Sequence, residues 1–181
     1  AQWAFLQNRG EGHMSRSQLE PLDEMLQRTR TPRDREIKLA LSKLNGDLRQ
    51  RCEKGSPSSR EFFVASLRSL CQIRGTMHAE LRMECLNNCA QYFFANGPLN
   101  DALRAATELR RLSQLVQNKE WLRVSENLSA VLQADLGNVP DAVAHHYKAI
   151  ELAREQKNSF VEISYRINLG VTLNYAGLYR E

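Results

Sequence analysis

Two pairs of side chains in this sequence have the type and spacing to attract a metal ion. Cys85 and Cys89 stand four residues apart within a helical pattern, and His145 is followed directly by His146. A thiolate pair at that spacing is half of a tetrahedral zinc site. No second Cys or His pair follows at finger-like distance, so Cys85 and Cys89 are expected to serve as small buried hydrophobes. Adjacent helical residues project about 100° apart, so His145 and His146 cannot easily share one metal, and a solvated helix face is the expected place for both. His78 stands alone. The sequence has no glycine-rich phosphate loop, nucleophile elbow or zinc-ligand signature, and so no visible seat for catalysis. No catalytic residue, metal or cofactor is expected, and this stretch is read as a non-enzyme.

Composition narrows the class. At 181 residues and 42% hydrophobic content, one domain with a continuous core is the default. The formal charge of +4 is too small an excess for a dedicated nucleic-acid binder. It is concentrated in the stretch from Arg28 to Arg60, where the basic side chains fit a solvated helix face. Cys52, Cys71, Cys85 and Cys89 lack the dense spacing of a disulfide scaffold, which points to a reducing, cytoplasmic setting. No run approaches the ~20 apolar residues that cross a bilayer, so no membrane is expected. The five prolines and nine glycines fall mostly between long apolar-periodic stretches without strand-like alternation, which predicts an all-α chain.

Those stretches repeat. Gly97, Gly137 and Gly177 are spaced by forty residues; the first two open the phrases Gly97 to Asp101-Ala102 and Gly137 to Asp141-Ala142. Seven residues before each glycine stands a small residue, Ala90, Ala130 or Gly170. Antiparallel helices joined by a tight turn need a residue tolerant of positive φ in the turn and small residues where the backbones cross. The stretches ahead of the glycines are read as A helices: Leu81, Cys85, Leu86, Cys89 and Phe93; Leu122, Leu128, Val131 and Leu132; Ile163, Ile167, Leu169 and Leu173. The stretches from Leu99 to Leu112 and from Val139 to Ala153 are read as B helices, with Pro98 and Pro140 in the turn or first helical turn.

The pattern resembles the tetratricopeptide repeat family, best in Asn168-Leu169-Gly170, Leu173, Gly177 and Tyr179, with Gly137, Ala142 and Ala149 repeating the same grammar. The repeat of forty is longer than the family's usual length of about thirty-four. The resemblance implies a right-handed α-α superhelix, a solenoid of antiparallel helix pairs whose A helices line a concave groove. Groove-facing positions would then be Glu84, Asn87, Gln91 and Phe94 in the first repeat, Asn127, Val131 and Asp135 in the second, and Val171 and Asn174 in the third. Asn87 and Asn127 occupy equivalent places, and an asparagine amide can both donate to and accept from an extended peptide backbone. The expected function is a non-catalytic protein- or peptide-binding module. Phrases such as Ala149-Ile150-Glu151-Leu152-Ala153-Arg154 resemble the arrays of bacterial signalling regulators, implying the N-terminal regulatory or sensing part of a larger protein such as a diguanylate cyclase. The alternatives are a scaffold that dimerises through the exposed apolar end of the array, or the repeat part of a transcriptional regulator.

The N-terminal part reads differently. Thr31-Pro32-Arg33-Asp34 opens a helix from about Pro32 to Glu53, Gly55-Ser56-Pro57-Ser58 breaks it, and Ser58 with Glu61 starts another. This pair is expected to act as a degenerate capping repeat, preceded by a short helix at about Ser17 to Arg28. Gly12-His13-Met14 has the form of a cloning junction, so residues 1–14 are read as a leader, tag or grafted peptide. Its cluster Trp3, Phe5 and Leu6 is a candidate ligand for the groove. The organisation expected is a leader at 1–14, N-terminal helices with the capping repeat at 15–76, and repeats at about 77–117, 118–157 and 158–181.

Overall fold

The computed structural model describes residues 34–54 and 59–177. Among them the chain is all-helical, with seven helices and no strand: α1 (Asp34–Lys54), α2 (Arg60–Gln72), α3 (Ala79–Asn96), α4 (Leu99–Leu115), α5 (Lys119–Asp135), α6 (Val139–Glu155) and α7 (Ser159–Tyr175). The expected caps Thr31 and Ser58, the short helix at 17–28 and the cluster Trp3, Phe5 and Leu6 lie outside the described residues.

From α3 onward each helix packs against the next, and α3, α5 and α7 also touch in succession. At the start the order changes: α1 lies chiefly against α3, and α2 against α3 and, less closely, α4. Ile37, Leu41, Leu44 and Leu48 form the inward stripe of α1, while Lys38, Leu39, Ser42, Lys43, Arg49 and Gln50 face solvent. That is the one-sided pattern of a surface helix closing a core.

The turns obey a finer rule than the forty-residue repeat. The last four helices each have seventeen residues and begin at Leu99, Lys119, Val139 and Ser159, twenty apart. Before the last three of them stands a residue in the left-handed region, Gln117 (φ 56°), Gly137 (φ 81°) or Lys157 (φ 54°). Around it the next amide returns to the helix just ended: Asn118 to the Ser113 carbonyl at 2.9 Å, Asn138 to Gln133 at 2.8 Å, Asn158 to Ala153 at 3.0 Å. This satisfies carbonyls that a helix end otherwise leaves unpaired. The asparagine side chain then serves the new helix: Asn118 accepts from the Trp121 amide at 3.0 Å and Asn158 from the Val161 amide at 3.2 Å. Gly97, expected to share the positive φ of Gly137 and Gly177, instead has φ −133° and ψ −170°. Its constraint is space, because a Cβ there would meet Phe93 Cδ1 at 2.8 Å.

The main core runs from α1 to α5 and centres on stacked rings. Phe63 and Tyr92 lie face to face at 3.7 Å, and Phe93 meets both edge-on. Of the small residues expected at helix crossings, Ala90 and Ala130 are fully buried, whereas Gly170 is half-buried and a Cβ built on it meets nothing within 4 Å. A second, smaller cluster joins α6 to α7 through Ala149, Ile150, Ala153, Tyr165 and Leu169. Ile163 and Ile167, read as core positions of their A helix, are exposed. The hydrophobic face that α7 turns to α6 is instead Val161, Tyr165, Leu169 and Leu173.

Candidate functional site

The A helices α3, α5 and α7 carry every groove position nominated above. On α3, Glu84 is half-buried and its Oε2 accepts from Asn45 Nδ2 of α1, while Asn88 donates to Asn45 Oδ1 at 2.9 Å. Asn87 is half-buried, and Gln91 and Phe94 are exposed. On α5, Asn127 Oδ1 accepts from Asn168 Nδ2 of α7 at 3.1 Å. One asparagine pair thus ties α1 to α3 and another ties α5 to α7. Position 128, which stands to Asn168 as one period earlier, is Leu128, so no such pair joins α3 to α5 through Asn87.

The structure brings three of the nominated residues into one cleft. Val131 and Asp135 near the end of α5 and Val171 on α7 line a cavity of about 490 Å³, completed by Ala134, Gly137, Val139, Asn168, Thr172, Tyr175 and Ala176. Its walls are apolar, and Asp135 is its one charged residue. Asn174 is exposed on α7 but does not line the cleft, and the four nominated residues of α3 lie apart from it. A second depression of about 500 Å³, lined by Cys71, Asn100, Leu103, Arg104, Thr107 and Glu108, contains none of the nominated positions. Tyr175, missed by the sequence reading, stands forty residues after Asp135 and was reachable by the same period.

Behind the cleft lies a layer of buried polar groups that periodicity did not signal. The Glu126 carboxylate is fully buried; His145 Nδ1 donates to its Oε2 at 2.6 Å and Lys148 Nζ lies 3.1 Å from its Oε1. Burial works to raise its pKa, but the hydrogen bonds and charges from His145 and Lys148 prevail and hold it below the usual carboxylate range. His146, expected on a solvated face, is fully buried; its Nε2 shares a hydrogen bond of 3.0 Å with Thr172 Oγ1 of the cleft wall. Desolvation, aided by His145, pushes its pKa down to about 4, so the ring is neutral near pH 7. Arg123 ties α5 to the end of α6 by donating to Gln156 Oε1 at 2.8 Å and to α7 by donating to Tyr165 Oη at 2.7 Å. In the first half, buried Arg82 donates to the carbonyls of Ile73 at 2.7 Å and Gly75 at 2.8 Å, satisfying the end of α2. Cys85 and Cys89 are buried, and burial raises both thiols, Cys85 to about 12.

No group of three or more His, Cys, Asp or Glu side chains able to hold a metal occurs among the described residues. No described helix is long and apolar enough to cross a membrane. Compared with known proteins, the chain matches no family model, no curated protein and no solved structure.

Proposed function

We propose that this chain is a non-catalytic docking module of the tetratricopeptide type, a superhelical stack of helix pairs that receives an extended peptide or partner helix in the cleft between α5 and α7. The observation that carries the reading is the cleft itself: two successive A helices contribute Val131, Asp135 and Val171 to one cavity of about 490 Å³. Apolar walls with few convergent polar groups are the usual chemistry of a recognition pocket. The occupant that fits is an apolar side chain followed by a lysine or arginine able to meet Asp135. The Asn127–Asn168 pair ties the two helices together, and Asn168 also lines the cleft. By resemblance, such a module serves as the regulatory or sensing part of a larger bacterial signalling protein, with a diguanylate cyclase or a transcriptional regulator as the kind of output.

The test is selection from an unbiased peptide library on the intact chain, followed by affinity measurements with the selected peptides. Val131→Arg is expected to weaken them by 10-fold or more, by filling the cleft with a charge. Asp135→Lys is expected to reverse any preference for a cationic residue. If no peptide is selected, or if selected peptides bind both variants as tightly as the parent, the docking reading is wrong.

A further inference from the structure

α7 carries an exposed apolar ridge of Phe160 (82% exposed), Ile163 (58%), Ile167 (60%), Val171 (47%) and Tyr175 (88%), the last two also lining the cleft with α5. One period earlier, the same positions on α5 are Glu120, Arg123, Asn127, Val131 and Asp135. On α5 part of that face meets α7 through polar groups, Arg123 bonding Tyr165 and Asn127 bonding Asn168, while Glu120 and Asp135 stay exposed. On α7 Glu120, Arg123 and Asn127 have become Phe160, Ile163 and Ile167, which removes most of the donors and acceptors that would recognise another polar helix face.

The ridge is also symmetric about its own middle. Ile163 and Val171 each lie four residues from Ile167, with Phe160 seven before it and Tyr175 eight after. An antiparallel copy of α7 laid across it with a two-fold axis at Ile167 sets Ile167 against Ile167, Ile163 against Val171, and Phe160 beside Tyr175. A ridge on the i, i+4 row packs into its own equivalent at a crossing of about −50°. The flanking charge does not oppose this, since Arg166 is held by Glu162 at 2.8 Å.

We propose that two copies of this chain associate through α7 in an isologous dimer centred on Ile167. Two largely exposed aromatic rings and three aliphatic side chains offer on the order of 600 Å² per copy, the low end of a specific interface. Among the described residues, α1 presents a polar face with Leu39 its one large exposed hydrophobic, so the ridge finds no apolar counterpart on that helix. The dimer and a cleft ligand both use Val171 and Tyr175, so each excludes the other.

Ile167 lies outside the cleft lining, which lets the two proposals fail separately. The experiment is sedimentation of the intact chain over a hundredfold concentration range, with Ile167→Glu, Ile167→Lys, an equal mixture of the two, and Leu39→Glu. The parent and Leu39→Glu are expected to pass from monomer to dimer with no larger species. Each charged Ile167 variant, melting as the parent does, is expected to dimerise about 100-fold more weakly or worse, and the mixture to recover a mixed dimer. A parent that stays monomeric throughout, as it would if another segment of the chain covered the ridge, overturns the proposal. So does association that grows past the dimer or is abolished by Leu39→Glu, or a mixture no tighter than its components.

Discussion

The two halves of the array invert each other. From α1 to α4 the interior is mainly apolar: stacked Phe63 and Tyr92 sit in a continuous core, and α1 turns lysines and an arginine to water. From α5 to α7 charged and titratable groups are inside, with Glu126, Arg123 and His146 buried, while isoleucines and aromatic rings lie on the surface of α7. The first half buries a charge too, Arg82, which is held by backbone carbonyls and lies 3.9 Å from Glu108. The first half is still stabilised mainly by packing, which is indifferent to pH. The second is stabilised in part by ionic and hydrogen-bonded pairs, and its surface is left with the apolar area that association requires.

The contrast is broken most strongly in the first half by removing a ring. Phe63→Ala empties the centre of the stack and is expected to cost about 4 kcal/mol in denaturant unfolding. In the second half the corresponding blow is polar: Glu126→Ala removes the buried carboxylate that His145, Lys148 and Arg110 face and is expected to cost about 2 kcal/mol. Repeating both measurements in 1 M salt separates them, since a cavity cost is insensitive to screening. Equal salt dependence in the two variants would contradict the division.

Acid sharpens the contrast at the next level. His146 has a folded pKa of about 4 against an unfolded value near 6.5, so the unfolded chain binds the extra proton first and stability falls as the pH drops from about 6.5 to about 4. Glu126 adds to the same trend lower down. Its depressed pKa contributes stability above the unfolded carboxylate value, and that contribution is lost as pH falls through the folded one. Hydrogen exchange is expected to show amides of α5 to α7 losing protection before those of α1 to α4, with a combined effect on the order of 2 kcal/mol by pH 4. His146→Gln should flatten the upper part of that profile; an unchanged slope between pH 6.5 and 4 would show that His146 is not its source.

Much of the helical order was legible because it follows from spacing alone. The forty-residue recurrence of Gly97, Gly137 and Gly177 placed the A and B helices close to where they lie. It could not show which way α7 faces, because Ile163 and Ile167 fit an apolar helical stripe whether that stripe is covered or bare. The buried polar layer was illegible for a related reason: Arg123 and Glu126 do not recur at the positions forty residues away, and a single buried charge depends on partners brought from other helices. Of the cleft-lining residues, Val131, Asp135 and Val171 are among the positions the resemblance nominates, while the bond from Asn168 to Asn127 joins two helices and is a contact that spacing does not reveal.

The twenty-residue turn rule gives the smallest and most discriminating test. Glycine fills the left-handed position in the turn before α6, where Gly137 has φ 81°, but the turn before α7 places Lys157 there at φ 54°, a conformation that costs an L-residue roughly 1 kcal/mol. Nothing lies within 4 Å of a Cβ built at Gly137, so Gly137→Ala isolates the same backbone term in the opposite direction. Lys157→Gly is expected to raise unfolding stability by about 0.5 kcal/mol and Gly137→Ala to lower it by about 1 kcal/mol. Gly97→Ala should be destabilising without any such term, since its φ of −133° suits alanine and the obstacle is the Phe93 ring. A truncation Phe93→Leu in the same background should therefore recover part of the Gly97→Ala loss and none of the Gly137→Ala loss, which separates steric from conformational use of glycine.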